Sequence, residues 1–294
     1  MMMGFIGGSG LYELGDDLEN RASVSVDTPF GEPSGDFVTG VVSGVEVAFL
    51  PRHGVGHAIT PGELNHRANI FAMKKLGVTH ILSLSACGSL REEMKPRDVV
   101  VVDQYFDRSK RSADHTFFGN GIVAHIAFAD PVCPELFELA CDVAASVAAE
   151  TAPDATVHKG GTYINMEGPA FSTKAESNVY RAWGMDVIGM TNLAEAKLAR
   201  EAGVCYATLA FVTDYDCWRE GHDSVTVEMV IGHLMANADL AKRIAVAACA
   251  AAAEDGLKRS CACPDALRNA VITSRDKITP EIRQRLAPIL EGIL

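Results

Sequence analysis

Thr213, Asp214 and Asp216 are the residues of this chain best suited to chemistry. They follow the apolar run from Tyr206 to Val212, which reads as a buried strand, so they stand where that strand ends. In an open α/β sheet, ligands bind outside the carboxyl ends of the strands. Two carboxylates at such an end, one residue between them, can face a single ligand. A base with a ring nitrogen to protonate and an exocyclic amine to hydrogen-bond suits them, and adenine offers both.

Other strand ends carry groups suited to an anion. Gly7-Gly-Ser-Gly10 follows the apolar start of the chain, so its backbone N–H groups and the Ser9 hydroxyl suit a phosphate. A dinucleotide fingerprint is the competing reading, but Glu13 stands where its last glycine belongs, so an oxidoreductase is disfavoured. Pro51-Arg-His-Gly54 offers the planar fork of Arg52 and a further donor in His53. Ser85-Ala-Cys-Gly-Ser89 adds hydroxyls and backbone N–H groups, with Cys87 expected to be a buried, inert thiol. Phe171, in Met166 to Ser172, is placed to stack on a base or to anchor the helix after it. In Val187-Ile-Gly-Met-Thr191, Gly189 permits close backbone approach and Met190 forms an adaptable apolar wall.

The elements that must position these groups alternate. Strands are expected at Met3 to Gly7, Phe37 to Val42, Val45 to Leu50, Val78 to Ser85, Asp98 to Gln104, Thr156 to Ile164, Asp186 to Met190 and Tyr206 to Val212. Helices are expected at Glu63 to Leu76, Pro134 to Ala149, Lys174 to Trp183 and Leu193 to Ala202. From Ser224 onward the chain reads as helical, with breaks near Cys261 to Pro264 and at Thr279-Pro280. This is the pattern of a single α/β domain over residues 1–294. It has a central mixed, largely buried sheet flanked by helices and a helical C-terminal region from about residue 255.

A formal net charge of -12 argues against non-specific nucleic-acid binding. Neither a signal peptide nor a membrane span is expected, and the compartment reads as a reducing cytoplasm. Of the eight cysteines, Cys261 and Cys263 form a pair one residue apart with no zinc-like Cys/His spacing around them, so a structural role is expected.

Taken together, GFIGGSGL, LPRHG with His57, ELNHRANIFAMKKLG, SACGSLREE, DVVVVDQYFDR, EGPAFSTKAES, MTNLAEAKLAREAG and TDYDCW resemble the trimeric purine nucleoside phosphorylase family. The match runs to about residue 240, and the tail carries little of it. The resemblance implies phosphorolysis of a 6-aminopurine nucleoside bearing a 5′-methylthio group, in purine and methionine salvage. It implies no metal or organic cofactor, inorganic phosphate as co-substrate, and a homotrimer. By the family pattern Ser9, Arg52, His53, Ser85 and Ala86 bind phosphate, and Asp214 and Asp216 hold the adenine edge and act in catalysis. Phe171 stacks on the purine, Met190 meets the ribose, and Ser172, Ile188, Thr191 and Thr213 line the nucleoside site. Val227, Val230 and, from a neighbouring subunit, His125 line the 5′ pocket. A methylthioinosine or other 6-oxopurine phosphorylase is the alternative on the same fold. The paired aspartates favour adenine, because a carboxylate repels O6.

Overall fold

One eleven-stranded sheet organises the computed structural model, which describes residues 2–15, 17–219, 227–255 and 259–294. The chain opens with β1 (Met2–Gly7), β2 (Glu19–Val24), β3 (Phe37–Val42), β4 (Val45–Pro51), α1 (His66–Lys75) and β5 (Val78–Ser89). It continues through β6 (Val99–Val102), β7 (Gln104–Asp107), α2 (Pro134–Thr151), β8 (Val157–Lys159) and β9 (Thr162–Asn165). Then come α3 (Lys174–Ala182), β10 (Val187–Gly189), α4 (Asn192–Glu201) and β11 (Cys205–Asp214). The described chain closes with α5 (Val227–Asp255), α6 (Pro280–Arg285) and α7 (Ala287–Leu290).

β1 lies between β4 and β5, parallel to both, and β11 runs parallel to β5 on the far side. β5 changes neighbours along one edge. It pairs with β1 as far as Leu84, then with antiparallel β10 from Gly88. Ser85, Ala86 and Cys87 therefore have a ladder partner only on the β11 edge, where the sheet splays open. That opening adjoins the carboxyl ends of β1, β4, β5 and β11.

Strand alternation sends successive side chains to opposite faces. Phe5, Phe49, Leu82 and Leu209 pack on one side against Leu136, Ala140, Ile244 and Ala248 of α2 and α5. Ile6, Leu50, Ile81 and Tyr206 pack on the other, with Ile70, Phe71 and Leu198 of α1 and α4 and with Leu286 and Ile289 from the tail. Each such fully buried side chain contributes roughly 1.5–3 kcal/mol. Among the described residues, no helix is long and apolar enough to cross a membrane.

The expected α/β fold with a mixed sheet is present, and its departures from the sequence reading have physical reasons. β2 was not expected: its residues are mostly exposed and polar, as an edge strand allows, so no apolar period marks it. The strand expected at Thr156 to Ile164 is two strands, β8 and β9, broken at Gly160-Gly161. The run from Asp98 is likewise split, at Asp103, whose carboxylate accepts the Gly161 N–H at 3.0 Å, so both strands bend together. After α5 the tail is short helices and single turns rather than continuous helix, held by the apolar side chains of Ile282, Leu286 and Ile289.

Candidate active site

The three segments read as anion sites are adjacent, although the third is not a strand end: β5 runs on to Ser89, because Ser85, Ala86 and Cys87 stay paired with β11. In the parallel registers Gly7 stands level with Pro51 and with Leu84. Past these positions the turns bond to one another: the Gly8 N–H donates to Leu84 O at 2.8 Å and the Arg52 N–H to Gly7 O at 2.8 Å. A cleft of about 360 Å³ opens above them and includes Ser9, Arg52, His53, Ser85 and Ala86 in its wall. A Cβ on Gly8 would come within 2.8 Å of Arg52 Nη1, so only glycine lets this turn approach the guanidinium.

Arg52 is 1% exposed, and half of its fork is already engaged. Glu195, from the first turn of α4, takes Nε at 2.5 Å and Nη2 at 3.2 Å. Ser83 Oγ accepts from Nη2 at 2.6 Å. Nη1 remains, on the side of the Gly8 turn, so the guanidinium offers one donor arm and its charge rather than a free bidentate fork. His53 also differs from expectation. Burial, then the nearby Arg52 charge, pushes its imidazole down to about 4, so at neutral pH it is uncharged. Its Nδ1–H donates to Ile59 O at 2.8 Å, which leaves Nε2 as an acceptor until an anion raises its basicity.

The carboxylates line the same cleft from β11, on the far side of β5 from the Arg52 turn. β11 bulges between Val212 and Asp214, bringing Asp214 level with Gly88 of β5. Asp214 accepts the Thr213 hydroxyl at 2.6 Å and the Asp216 N–H at 2.8 Å. Asp216 sits at φ 51, a left-handed conformation rare for a non-glycine residue and common at functional sites. Burial raises both carboxyls, Asp216 to about 6, to which the neighbouring Asp214 charge also contributes. The Asp216 carboxyl lines the cleft and is held partly down by the buried hydroxyl of Ser177. Cys87 also borders the cleft, but burial and Asp214 hold its thiol well above the usual range, so it stays protonated.

Residues 3–250 match the model of the phosphorylase superfamily. The S-methyl-5′-thioadenosine phosphorylase of Geobacter sulfurreducens is 54% identical over 289 residues, covering 98% of each chain. That of Gloeobacter violaceus is 54% identical, over 98% of this chain and 94% of the relative. This chain belongs to the phosphorylase superfamily, among the methylthioadenosine phosphorylases. A solved methylthioadenosine phosphorylase from an antarctic soil metagenomic library superposes with a TM-score of 0.91 at 46% identity, over 98% of both chains. The Schistosoma mansoni methylthioadenosine phosphorylase in complex with adenine superposes at 0.81 with 34% identity, over 100% of this chain and 99% of that one.

Against this family frame, the cleft also takes in Phe171, Ile188, Met190, Thr191 and Thr213. Phe171 is 61% exposed, a free aromatic face at the cleft wall. Ser172 lies behind that wall, its Oγ against Met166 Sδ at 3.7 Å. His125 is exposed on a separate surface depression beside Arg200 and Asn269. Val227 and Val230 fall on the first turn of α5, where the side chains lie outside the described residues.

Three supporting residues escaped the sequence reading. Glu195 carries no local mark of a partner within the helix expected at Leu193 to Ala202. His233 and Asn237, spaced i and i+4 on α5, donate to Thr213 O and, at 3.0 Å, to Val212 O, which fixes the bulge that aims Asp214. That spacing on an otherwise apolar face was the available signal. Gly189 has a steric reason: a Cβ there would lie 1.8 Å from the Tyr163 hydroxyl. Gly189→Ala should therefore cost about 1–3 kcal/mol through overpacking. The cost should vanish in a Tyr163→Ala background, and a double-mutant cycle by urea unfolding measures the coupling.

Proposed function

We infer that the chain catalyses phosphorolysis of S-methyl-5′-thioadenosine to adenine and 5-methylthioribose 1-phosphate. The observation that carries this reading is one cleft with hydrogen-bond donors at one end, at Arg52, Ser9 and Ser85, and carboxyls at the other, at Asp214 and Asp216 beyond β5. Phosphate binds at the first end, through Arg52 Nη1, the hydroxyls of Ser9 and Ser85, the Ala86 N–H and His53. The purine binds at the second, stacked on Phe171, with Met190 under the ribose and Ile188, Thr191 and Thr213 around it.

In the reaction a phosphate oxygen bonds to C1′ as the C1′–N9 bond breaks, and that bond's electron pair passes into the purine. Asp214, its carboxyl raised by burial, delivers a proton to N7 and so neutralises the leaving base. Asp216, which lines the same cleft, accepts from the exocyclic amine. Phosphate is the nucleophile and a carboxyl the acid, so this reading requires neither metal nor organic cofactor in the chemistry. We extend it to a cytoplasmic homotrimer in which His125 of a neighbouring chain, with Val227 and Val230, completes the 5′ pocket. Sedimentation as a fully active 31.4 kDa monomer would overturn the trimer.

Product release from methylthioadenosine, adenosine, methylthioinosine and inosine, each with and without phosphate, tests the reaction. Phosphate-dependent adenine release, fastest from methylthioadenosine, is the expected result. Faster release from methylthioinosine would overturn the base assignment, and no phosphate dependence would overturn the reaction.

A further inference from the structure

Four cysteine sulfurs converge at the end of the sheet remote from the cleft. Cys133 caps the start of α2, and its N–H donates to Tyr206 O at 3.0 Å, beside Cys205, the first residue of β11. Cys261 and Cys263 come from the tail segment that follows α5. The four Sγ atoms all lie within 4.8 Å of one another, and Cys205 Sγ is 3.4 Å from Cys261 Sγ. Three of the four side chains are buried and Cys261 is half-buried. The pair read from sequence as lacking metal-ligand neighbours therefore has two, and Cys205 and Cys261 are 56 residues apart in the chain.

A tetrahedral tetrathiolate site with Zn–S bonds of about 2.3 Å places its sulfurs about 3.8 Å apart along every edge. Two disulfides would require two short contacts and set no limit on the other four distances. Here every pair is close, the arrangement a single central ion demands. We propose that Cys133, Cys205, Cys261 and Cys263 hold one structural zinc ion. As the four Zn–S bonds form, the thiols release their protons to solvent, leaving a dianionic centre. Arg259 Nη2, bonded to Gly203 O two residues before Cys205, ties the tail to the same corner of the sheet.

Four protein ligands close the coordination sphere, as in structural zinc sites, and leave no position for a substrate. β11 separates the cluster from Asp214 by nine residues, about 30 Å of extended strand. The ion is thus a clasp. It fastens the tail, whose Ile282, Leu286 and Ile289 cover α1 and α4, to the starts of α2 and β11.

The test uses the full chain purified under reducing conditions with zinc present, then freed of loose metal. Elemental analysis should give about one zinc per chain. Cobalt exchange should produce the intense sulfur-to-metal charge-transfer absorption of a tetrathiolate. Cys261→Ser should lose both signals while Cys141→Ser, outside the cluster, keeps them. Chelation should lower Tm. Should Cys261→Ser fail to fold, the cobalt spectrum of the unaltered chain still decides. Four freely titratable thiols with no metal after zinc exposure would overturn the proposal. So would disulfides joining these cysteines in non-reduced peptide maps.

Discussion

Replacing Asp214 with alanine lowers kcat for methylthioadenosine phosphorolysis by about 10²–10⁴-fold, the usual worth of a positioned general acid. Asp214 stands where the sheet both opens and bulges, and Thr213 and the Asp216 N–H hold its carboxylate in place. Removing the side chain removes the proton for N7 and frees the Asp216 turn, so the loss falls on kcat. Asp214→Asn keeps the shape but offers an amide N–H in place of a carboxyl. The activity that remains should shift toward 6-oxopurine nucleosides, because the change removes a carboxylate that repels O6 on the same purine edge while its amide N–H still meets N7.

The pH dependence follows from the partner carboxylate. Asp216 titrates at about 6, so above that pH it is ionised and accepts from the exocyclic amine. As pH falls through 6 it takes up a proton and the acceptor is lost, so kcat/KM declines on the acid side. Asp216→Asn should abolish that acid limb. Wild-type rates in both Asp214 variants, measured at a pH above the limb, would show that the carboxyl is not the acid.

What was legible in the sequence was chemistry at the ends of apolar runs. Ser9 and Arg52 follow buried strands, Ser85 stands in β5 just past its pairing with β1, and Asp214 ends β11; parallel pairing of those strands brings the four to one edge. The branching of β5 from β1 to β10 was not legible, because it depends on which distant segments pair and not on any local period. The same limit hid Glu195, His233 and Asn237. Their polarity is unremarkable until the partner, a buried guanidinium or the carbonyls of a bulged strand, is known. The four-cysteine cluster is the extreme case, its members drawn from α2, β11 and the tail. Patterns of local spacing report contacts within an element, whereas these contacts join elements.

Glu195→Ala lowers stability by about 3–5 kcal/mol, the usual cost of removing one partner from a buried ion pair. Arg52 and Glu195 are each 1% exposed, so neither charge is solvated. Burial pushes the Glu195 carboxyl up, but the Arg52 charge and hydrogen bonds outweigh it and hold it below the usual carboxylate range. The pair's stability is therefore complete above the ordinary glutamate pKa and lost as pH falls through the depressed one. Glu195 Oε2 also accepts from Ser83 at 2.7 Å and from the Tyr206 hydroxyl at 2.9 Å, so the alanine variant removes the acceptor of four donors, Arg52 Nε and Nη2 and the two hydroxyls. The same change releases the guanidinium from its fixed orientation beside the Gly8 turn, and KM for phosphate rises. A double replacement separates the two effects. In Arg52→Met/Glu195→Leu both charges go and apolar groups refill the space, a change that is often close to neutral for stability. Urea unfolding should recover most of the lost free energy, while the phosphate KM should stay high because no arm of Arg52 remains to bind the anion. If phosphate binding recovered along with stability, Arg52 would be a structural residue and the anion site would have to lie elsewhere in the cleft.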